Sequence, residues 1–479
     1  MFKRFFCLLF LLVPVNLLAN DWADLPSLLP KGTQVSYMVV DPADNRVIAQ
    51  SQQTLLRTPA SIQKLLTATA SRLYLGKDFH YETSITGDPE NIKNNRYQGD
   101  IGFRFVGDPM LSRGDIKGML KSLKQLGITH ISGDFLVDSS RFAGYQWSNG
   151  QAWNDLGVCY TAPANAIIIN KNCVLGNLSI NKADPEKARL FIPSYEPVTI
   201  SSDVAVVTAE QRSTQFCDLE ITRDTHNHYH LWGCMVPRKG AFPLAFAVND
   251  PFAYGRQIIA QELAMVGITL TGKIKLLDDN KRHFFKGILV SHQSPPLHEL
   301  LQKMMKESDN LIADSLFKTL GAVYFQRAGN FRNGASALKS ILKVHGLDLE
   351  NAYLADGSGL SRHNLMSAEL FMSVLKYVYQ HDAKLNLLSS FAVAGVDGTL
   401  KYHSGVSGRL FKGKVKAKTG SMKGVANMLG VINTKEGDRL FVLILNAYNL
   451  AEPLINAQHK KVGKALFQQA FFKTIMGSS

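Results

Sequence analysis

Hydrophobic and polar positions divide the chain into two similar ends and a different middle. Val35–Val40 and Arg46–Gln50 have strand length and flank Asp41-Pro42-Ala43-Asp44-Asn45, a turn-rich break, which predicts a β-hairpin. Near the other end, Val415–Ser421, Val425–Asn433 and Leu440–Ala447 predict three more strands, separated by turns containing Lys423-Gly424 and Lys435-Glu436-Gly437-Asp438. Apolar residues at helical spacing predict helices over Ala60–Leu73, Leu297–Lys306, Leu311–Leu320, Ala335–Val344 and Ala368–Tyr379. Five strands from the two ends fit one antiparallel sheet, with the helical segments covering its faces.

From about Phe79 to His292 the pattern shortens into alternating segments and turns, with Lys117–Leu126 and Ala253–Val266 as the clearest helices. There is no internal repeat and no low-complexity tract. The simplest organisation is one domain split in sequence, 20–80 plus 290–479. The insertion 81–289 then forms two smaller β-rich domains, the inner one over about 165–245.

The N-terminus changes the picture of where the chain works. Lys3 and Arg4 precede an apolar run from Phe5 to Leu18, followed by Ala19-Asn20-Asp21. A charged start, a short apolar core and a small residue at the cut predict a secretory signal over 1–19. The run is too short for the ~20 residues a membrane span needs. Cys7 lies inside it without the small residues that precede a lipidated cysteine. The remaining cysteines, Cys159, Cys173, Cys217 and Cys234, have no zinc-type spacing and allow three pairings. Disulfides in an oxidising compartment are the better reading. The short loops, flanked by strand-like segments, lead us to expect Cys159 with Cys173 and Cys217 with Cys234.

Of the 479 residues 46% are hydrophobic and 19% charged, which fits a soluble protein with real cores, and the net charge of +14 points to an anionic partner. No Lys/Arg run, zinc-finger spacing or RNA-binding aromatic motif is present, so nucleic acid is not expected.

Candidate chemistry begins at Thr58-Pro59-Ala60-Ser61-Ile62-Gln63-Lys64. It reads as a helix start, with Thr58 as cap and Pro59 in the first turn. Ser61 and Lys64 are then on one face, and a buried lysine would lose charge and become able to take the serine proton. Alone this spacing is weak. Two further motifs strengthen it: Ser308-Asp309-Asn310 between two helical stretches, and Lys418-Thr419-Gly420-Ser421 on a strand. Gly420, lacking Cβ, would let a substrate backbone lie against that strand. S-x-x-K, S-D-N and K-T-G in this order are the signature of penicillin-binding proteins and class A β-lactamases.

At this point the chain resembles the penicillin-binding protein 4 type of D-alanyl-D-alanine carboxypeptidase/endopeptidase, over nearly all of its length after the signal. Besides the motifs, the resemblance rests on Ser308–Asp314, Asp356-Gly357-Ser358-Gly359-Leu360-Ser361-Arg362, Trp153-Asn154-Asp155 before Cys159, Leu244–Val248, and the long insertion between Ser61 and Ser308. It implies an α+β penicillin-recognising serine hydrolase with helices on both faces of a five-stranded antiparallel sheet, plus inserted β-rich domains. It also implies periplasmic cleavage of peptidoglycan peptides and of D-alanine–diaminopimelate cross-links, and covalent binding of β-lactam antibiotics, without a cofactor or metal.

Roles follow from the same resemblance. Ser61 is the nucleophile and Lys64 its base, while Ser308 and Lys418 relay the proton to the leaving amine. Asn310 holds the substrate amide and Thr419 the terminal carboxylate, and the backbone N–H groups of Ser61 and Ser421 form the oxyanion site. Asp155 reaches a diaminopimelate ammonium, and Arg362 is a partner for a substrate carboxylate. Two positions depart from the pattern: Tyr160 stands where relatives carry Phe, and Lys423 where they carry Gln. A lysine there could repel the ammonium or occupy Asp155. The competing functions are a β-lactamase, disfavoured by the lack of an E-x-x-L-N loop after Asn310, and a non-catalytic murein-binding scaffold. His226, His228 and His230 alternate as on one strand face, a metal site or a solvated face. Val462–Met476 is amphipathic, suited to closing the sheet or to peripheral contact with membrane or cell-wall machinery. Oligomeric state, a homodimer included, stays open.

Overall fold

The computed structural model describes residues 21–277, 285, 287–448 and 463–477, so the expected signal segment and Val462 lie outside the described residues. The two ends of the chain form one antiparallel sheet in the order Ala392–Val393, Val415–Met422, Val425–Thr434, Gly437–Asn446, Gln34–Val40, Val47–Ser51. The two-residue strand at Ala392 adds a sixth member to the five expected. It is too short to carry a period of its own.

Side chains alternate across each strand, and both faces here are covered. Met38, Val40, Leu429, Val442 and Ile444 face the helices Lys64–Tyr74, Leu297–Lys306, Asn310–Phe325 and Ala368–Gln380. Val39, Met428, Phe441 and Leu443 face the opposite way, against Phe467, Phe471 and Phe472 of the C-terminal helix Lys464–Gly477. That helix therefore closes the sheet. Each such fully buried aromatic contributes roughly 1.5–3 kcal/mol by transfer from water. Burial on both sides also explains why Leu440–Leu445 reads as a continuous apolar run.

Asn310–Phe325 is central to the site. Every residue from Leu311 to Ala322 is buried, as expected of a helix that is apolar nearly all round. Asp309 caps it, with Oδ1 accepting from Ile312 N at 3.1 Å.

The middle of the chain folds into separate sheets. One orders Ile274–Leu276, Phe135–Asp138, Ile101–Arg104, Glu82–Gly87 and Gly287–Gln293, and another Ala188–Phe191, Cys173–Ile180 and Phe242–Ala247. A single buried apolar cluster runs through them from Ile85 to Ile268. Disulfides join Cys159 to Cys173 and Cys217 to Cys234, with Cα atoms 5.3 and 5.6 Å apart. The helix expected from Lys117 begins at Arg113, where a Ser112–Asp115 capping box sets its polar first turn. Of the three histidines, His228 and His230 share the solvated face of one strand, and His226 lies outside it. His226 precedes the His228–Met235 strand, and His226 and His228 both turn to Asp224 while His230 meets Asp203. Among the described residues no cluster of His, Cys, Asp and Glu has metal-site geometry. Nor is any helix there long and apolar enough to cross a membrane.

Candidate active site

Ser61 lies in a 3-10 turn, Ala60–Gln63, that leads into the helix Lys64–Tyr74. The expected Thr58 cap does not form. Thr58 N instead donates to Asn446 Oδ1 at 2.8 Å, and Thr58 O accepts from Asn427 Nδ2 at 2.9 Å and Asn446 Nδ2 at 3.1 Å. Asn427 Nδ2 also reaches Pro59 O at 2.7 Å. Two asparagines of the central strands thus pin the backbone just before the nucleophile. Ala60 follows with φ +49°, a left-handed value that is costly outside glycine and clusters at functional sites.

Lys64 is fully buried at the start of its helix. Its Nζ sits 2.7 Å from each of Ser61 Oγ, Asn310 Oδ1 and Ser358 O. Burial pulls the ammonium down to about 8, against the opposing pull of Asp314, Asp356 and Asp309. The amine form is therefore accessible near neutral pH, within 2.7 Å of the hydroxyl it would deprotonate.

The second and third motifs meet on the other side of Ser61. Lys418, also fully buried, donates from Nζ to Ser308 Oγ and to Thr419 O, both at 2.8 Å. Burial first, and the like charge of Lys64 second, hold its ammonium well below the usual lysine range. Ser308 has φ +62°, a left-handed value just before the Asp309 cap of the helix that follows. Thr419 Oγ1 donates to Thr399 Oγ1 at 2.9 Å.

Gly420 has a different reason from the one expected. A Cβ there would lie 2.8 Å from Pro59 O and 3.0 Å from the backbone nitrogens of Ser61 and Ile62. The glycine lets the strand touch the nucleophile turn, so its immediate neighbour is protein backbone and not substrate. Opposite that contact, Ala392–Val393 pairs only with Lys416 and Ala417. From Lys418 to the exposed Ser421 that strand edge has no strand partner among the described residues, which leaves room for an extended peptide.

A buried polar loop outside the three catalytic motifs supports this centre from behind. Asp314 Oδ1 accepts from Gly357 N and Ser358 N at 2.9 Å, and Ser358 Oγ lies 3.2 Å from its Oδ2. Asp356 accepts from Gly359 N at 2.8 Å, Ser361 N at 2.7 Å and Ser148 Oγ at 2.8 Å. Gln63 Nε2 donates to Asp356 O and to Asn364 Oδ1. Buried networks of this kind stiffen what they hold, although Gln63 Oε1 is left without a partner.

The middle of the chain reaches the site at several points. Asn310 Nδ2 donates to Tyr160 O at 2.8 Å, and Lys171 Nζ lies 2.6 Å from Asp309 Oδ2. Lys318, buried on the helix that Asn310 begins, donates to Tyr145 O at 2.8 Å and Ala164 O at 2.6 Å. Asp155 lies in the short turn Trp153–Asp155 and accepts a hydrogen bond from the Tyr160 side chain. Desolvation first, and that carboxylate second, push the Tyr160 hydroxyl far above its ordinary value. Lys423 is exposed, and among the described residues no ion pair joins it to Asp155. Arg362 is exposed, and both its terminal nitrogens donate to Lys423 O, at 3.1 and 3.2 Å, which holds it beside the K-T-G strand and leaves further N–H donors for a carboxylate.

Sequence comparison agrees with this geometry. The chain is 35% identical over 454 residues to a D-alanyl-D-alanine carboxypeptidase of Haemophilus influenzae, covering 95% of this chain and 93% of that one. It is 26% identical to a D-alanyl-D-alanine carboxypeptidase of an Actinomadura species, over 88% of this chain and 80% of that one. The crystal structure of penicillin binding protein 4 from Haemophilus influenzae superposes with a TM-score of 0.87 at 35% identity, over 95% of this chain and 99% of that one. The same protein solved with a novel β-lactam superposes with a TM-score of 0.83. The D-Ala-D-Ala carboxypeptidase 3 (S13) family model matches residues 16–466, and the chain belongs to that family.

Proposed function

We propose that this D-Ala-D-Ala carboxypeptidase works through an acyl-enzyme on Ser61, and that it also cleaves D-alanine–diaminopimelate cross-links as an endopeptidase. The observation that carries the reading is the 2.7 Å approach of Ser61 Oγ to a fully buried Lys64 amine. Lys64 takes the serine proton as Oγ attacks the carbonyl between two D-alanine units. The oxyanion forms between the N–H groups of Ser61 and Ser421, where a backbone donor is worth on the order of 3 kcal/mol. The Ser308–Lys418 pair passes a proton to the leaving amine, Asn310 holds the substrate amide, and Thr419 holds the terminal carboxylate. Water then hydrolyses the ester with the same groups. β-Lactams acylate Ser61 by the same attack, which is supported by the β-lactam complex of the Haemophilus influenzae relative.

Asp155 serves the diaminopimelate ammonium, since a carboxylate and an ammonium make stronger bonds than neutral pairs. The two disulfides and the N-terminal charge-and-apolar pattern support export to the periplasm. Fluorescent penicillin tests the mechanism: the protein takes up a persistent label, and Ser61→Ala, small enough for the same turn, takes up none. Label surviving that change would falsify Ser61 as nucleophile. Digestion of cross-linked murein separates the activities, by free D-alanine for the carboxypeptidase and monomers from dimers for the endopeptidase.

A further inference from the structure

Asp314 lies in none of the three motifs, yet one residue separates its carboxylate from the base. Its Oδ1 accepts from the backbone N–H groups of Gly357 and Ser358, and the carbonyl of that same Ser358 accepts from Lys64 Nζ at 2.7 Å. Asp314 and Ser358 are both buried. We propose that Asp314 is a positioning residue for Lys64: it fixes the Ser358 carbonyl against the amine and places a buried negative charge beside it that sets how tightly Lys64 holds its proton.

Three donors converge on the Asp314 carboxyl group: two backbone N–H groups and the Ser358 hydroxyl. That arrangement serves an anion. A neutral acid would need an acceptor for its own proton. Burial first and Asp356 second raise this carboxyl to about 8 against the pull of Lys64 and the Gly357 and Ser358 bonds, so it titrates in the same range as Lys64 and the two groups hold each other's charge. The charged groups around it come from every packed element. They are Lys64 from the nucleophile helix, Asp356 from the loop, and Lys318 one turn along its own helix, whose ammonium Asp314 stabilises. Asp309 acts on Lys64 from the cap of that helix, and Lys418, from the strand of the third motif, faces Lys64 as a like charge. Among these, Asp314 is the largest of the charges that raise Lys64 against the burial that lowers it. Without it, Lys64 would lose its proton more readily and be a weaker base when it acted.

The inference rests on the reading of Lys64 as base, and the test separates the two. The rate of penicillin acylation is measured against pH for the unsubstituted protein, Asp314→Asn and Lys318→Met, with folding checked by thermal melting. In the unsubstituted protein the rate falls on the acid side as Lys64 gains its proton. Asp314→Asn keeps an oxygen for the two N–H groups and removes the charge. Its acid limb moves to lower pH by on the order of one unit, the size expected for a nearby opposite charge, and its plateau falls. Lys318→Met removes a cation that helps Asp314 keep its charge, so its acid limb moves the same way, to lower pH, by less than in Asp314→Asn. A uniform loss at all pH values without a shift would mean a merely structural role and overturn the proposal. Shifts of opposite sign in the two variants would also overturn it. Should Asp314→Asn not fold, an acid limb unmoved in Lys318→Met would overturn it alone. An unsubstituted protein that takes no label would instead sink the function reading, and this inference with it.

Discussion

Lys171 Nζ lies 2.6 Å from Asp309 Oδ2, so the middle of the chain grips the carboxylate that caps the helix carrying Asn310. The grip is presented by a strained turn. Asn170, Lys171 and Asn172 all have positive φ, at 50°, 59° and 48°. Asn172 is buried, with Nδ2 donating to Ile167 O at 3.0 Å, and Asn170 Oδ1 accepts from Arg113 N at 2.9 Å. Asparagine tolerates this conformation better than most residues, and its flanking pair carries the cost for Lys171.

Lys171→Ala should therefore reduce acylation more than stability. The ion pair is part-exposed on the lysine side, so after solvent screening it is worth about 1 kcal/mol or less. We expect a fall in melting temperature of a few degrees at most, with penicillin acylation reduced several-fold because Asn310 is less well placed. High salt should weaken the unsubstituted protein in the same direction. Acylation unchanged by Lys171→Ala would show that the contact is incidental to the site.

Gly420→Ala tests the close approach of the strand to the nucleophile turn. The added Cβ would meet backbone, 2.8 Å from Pro59 O, and backbone cannot swing aside as a flexible side chain can. Moving the turn displaces Ser61 N, and misplacement of about 1 Å can cost on the order of 100-fold in rate. The acylation rate should drop by about that factor, while binding of a non-reactive ligand changes little. An alanine variant with full acylation would contradict the contact.

The elements were legible because each carries a local pattern. The strands of the main sheet are short apolar runs bounded by turn residues, and the helices Leu297–Lys306 and Ala368–Gln380 show apolar residues at helical spacing. The three motifs were legible because each is short and local. What was missed depends on partners far along the chain. Asn427 and Asn446 look like unremarkable polar residues on apolar strands, yet they hold Thr58 and Pro59. Asp314 and Asp356 lie in segments that the resemblance singled out, but their bonds to Ser358 and Asn364 leave no periodic trace, since a buried polar network is defined by who faces whom. Only the asparagine-rich Asn170-Lys171-Asn172 run offered a local hint of a left-handed turn.

The pH dependence of acylation follows from Lys64. Its ammonium is lowered to about 8 mainly by burial, so the amine needed to accept the serine proton prevails above that pH and is lost below it. The acylation rate should be flat in the alkaline direction near pH 9 and fall about ten-fold per unit well below pH 8, until other groups intervene. Stopped-flow acylation across this range measures it. A rate independent of pH between 6 and 9 would remove Lys64 from the role of base.

Asp155 and Tyr160 supply the last prediction. The Tyr160 hydroxyl hydrogen-bonds the Asp155 carboxylate, while the Tyr160 backbone carbonyl accepts from Asn310 Nδ2 at 2.8 Å. One residue thus links the acid proposed for the diaminopimelate ammonium to the amide proposed for the substrate peptide. A carboxylate has about four acceptor positions, so the tyrosine bond orients it and still leaves room for an ammonium. Asp155→Ala should weaken cleavage of peptides that carry the side-chain amine and leave amine-free peptides and β-lactam acylation nearly unchanged. Tyr160→Phe keeps the backbone bond to Asn310 and removes only the orienting hydroxyl. Its loss should be smaller, a few-fold in kcat/KM, as expected for one hydrogen bond worth about 1 kcal/mol, and again confined to the amine-bearing peptide. The measurement is kcat/KM on a matched pair of peptides with and without that amine. Equal losses on both would mean that Asp155 and Tyr160 serve the shape of the loop between Trp153 and Cys173, and that recognition of the ammonium lies elsewhere.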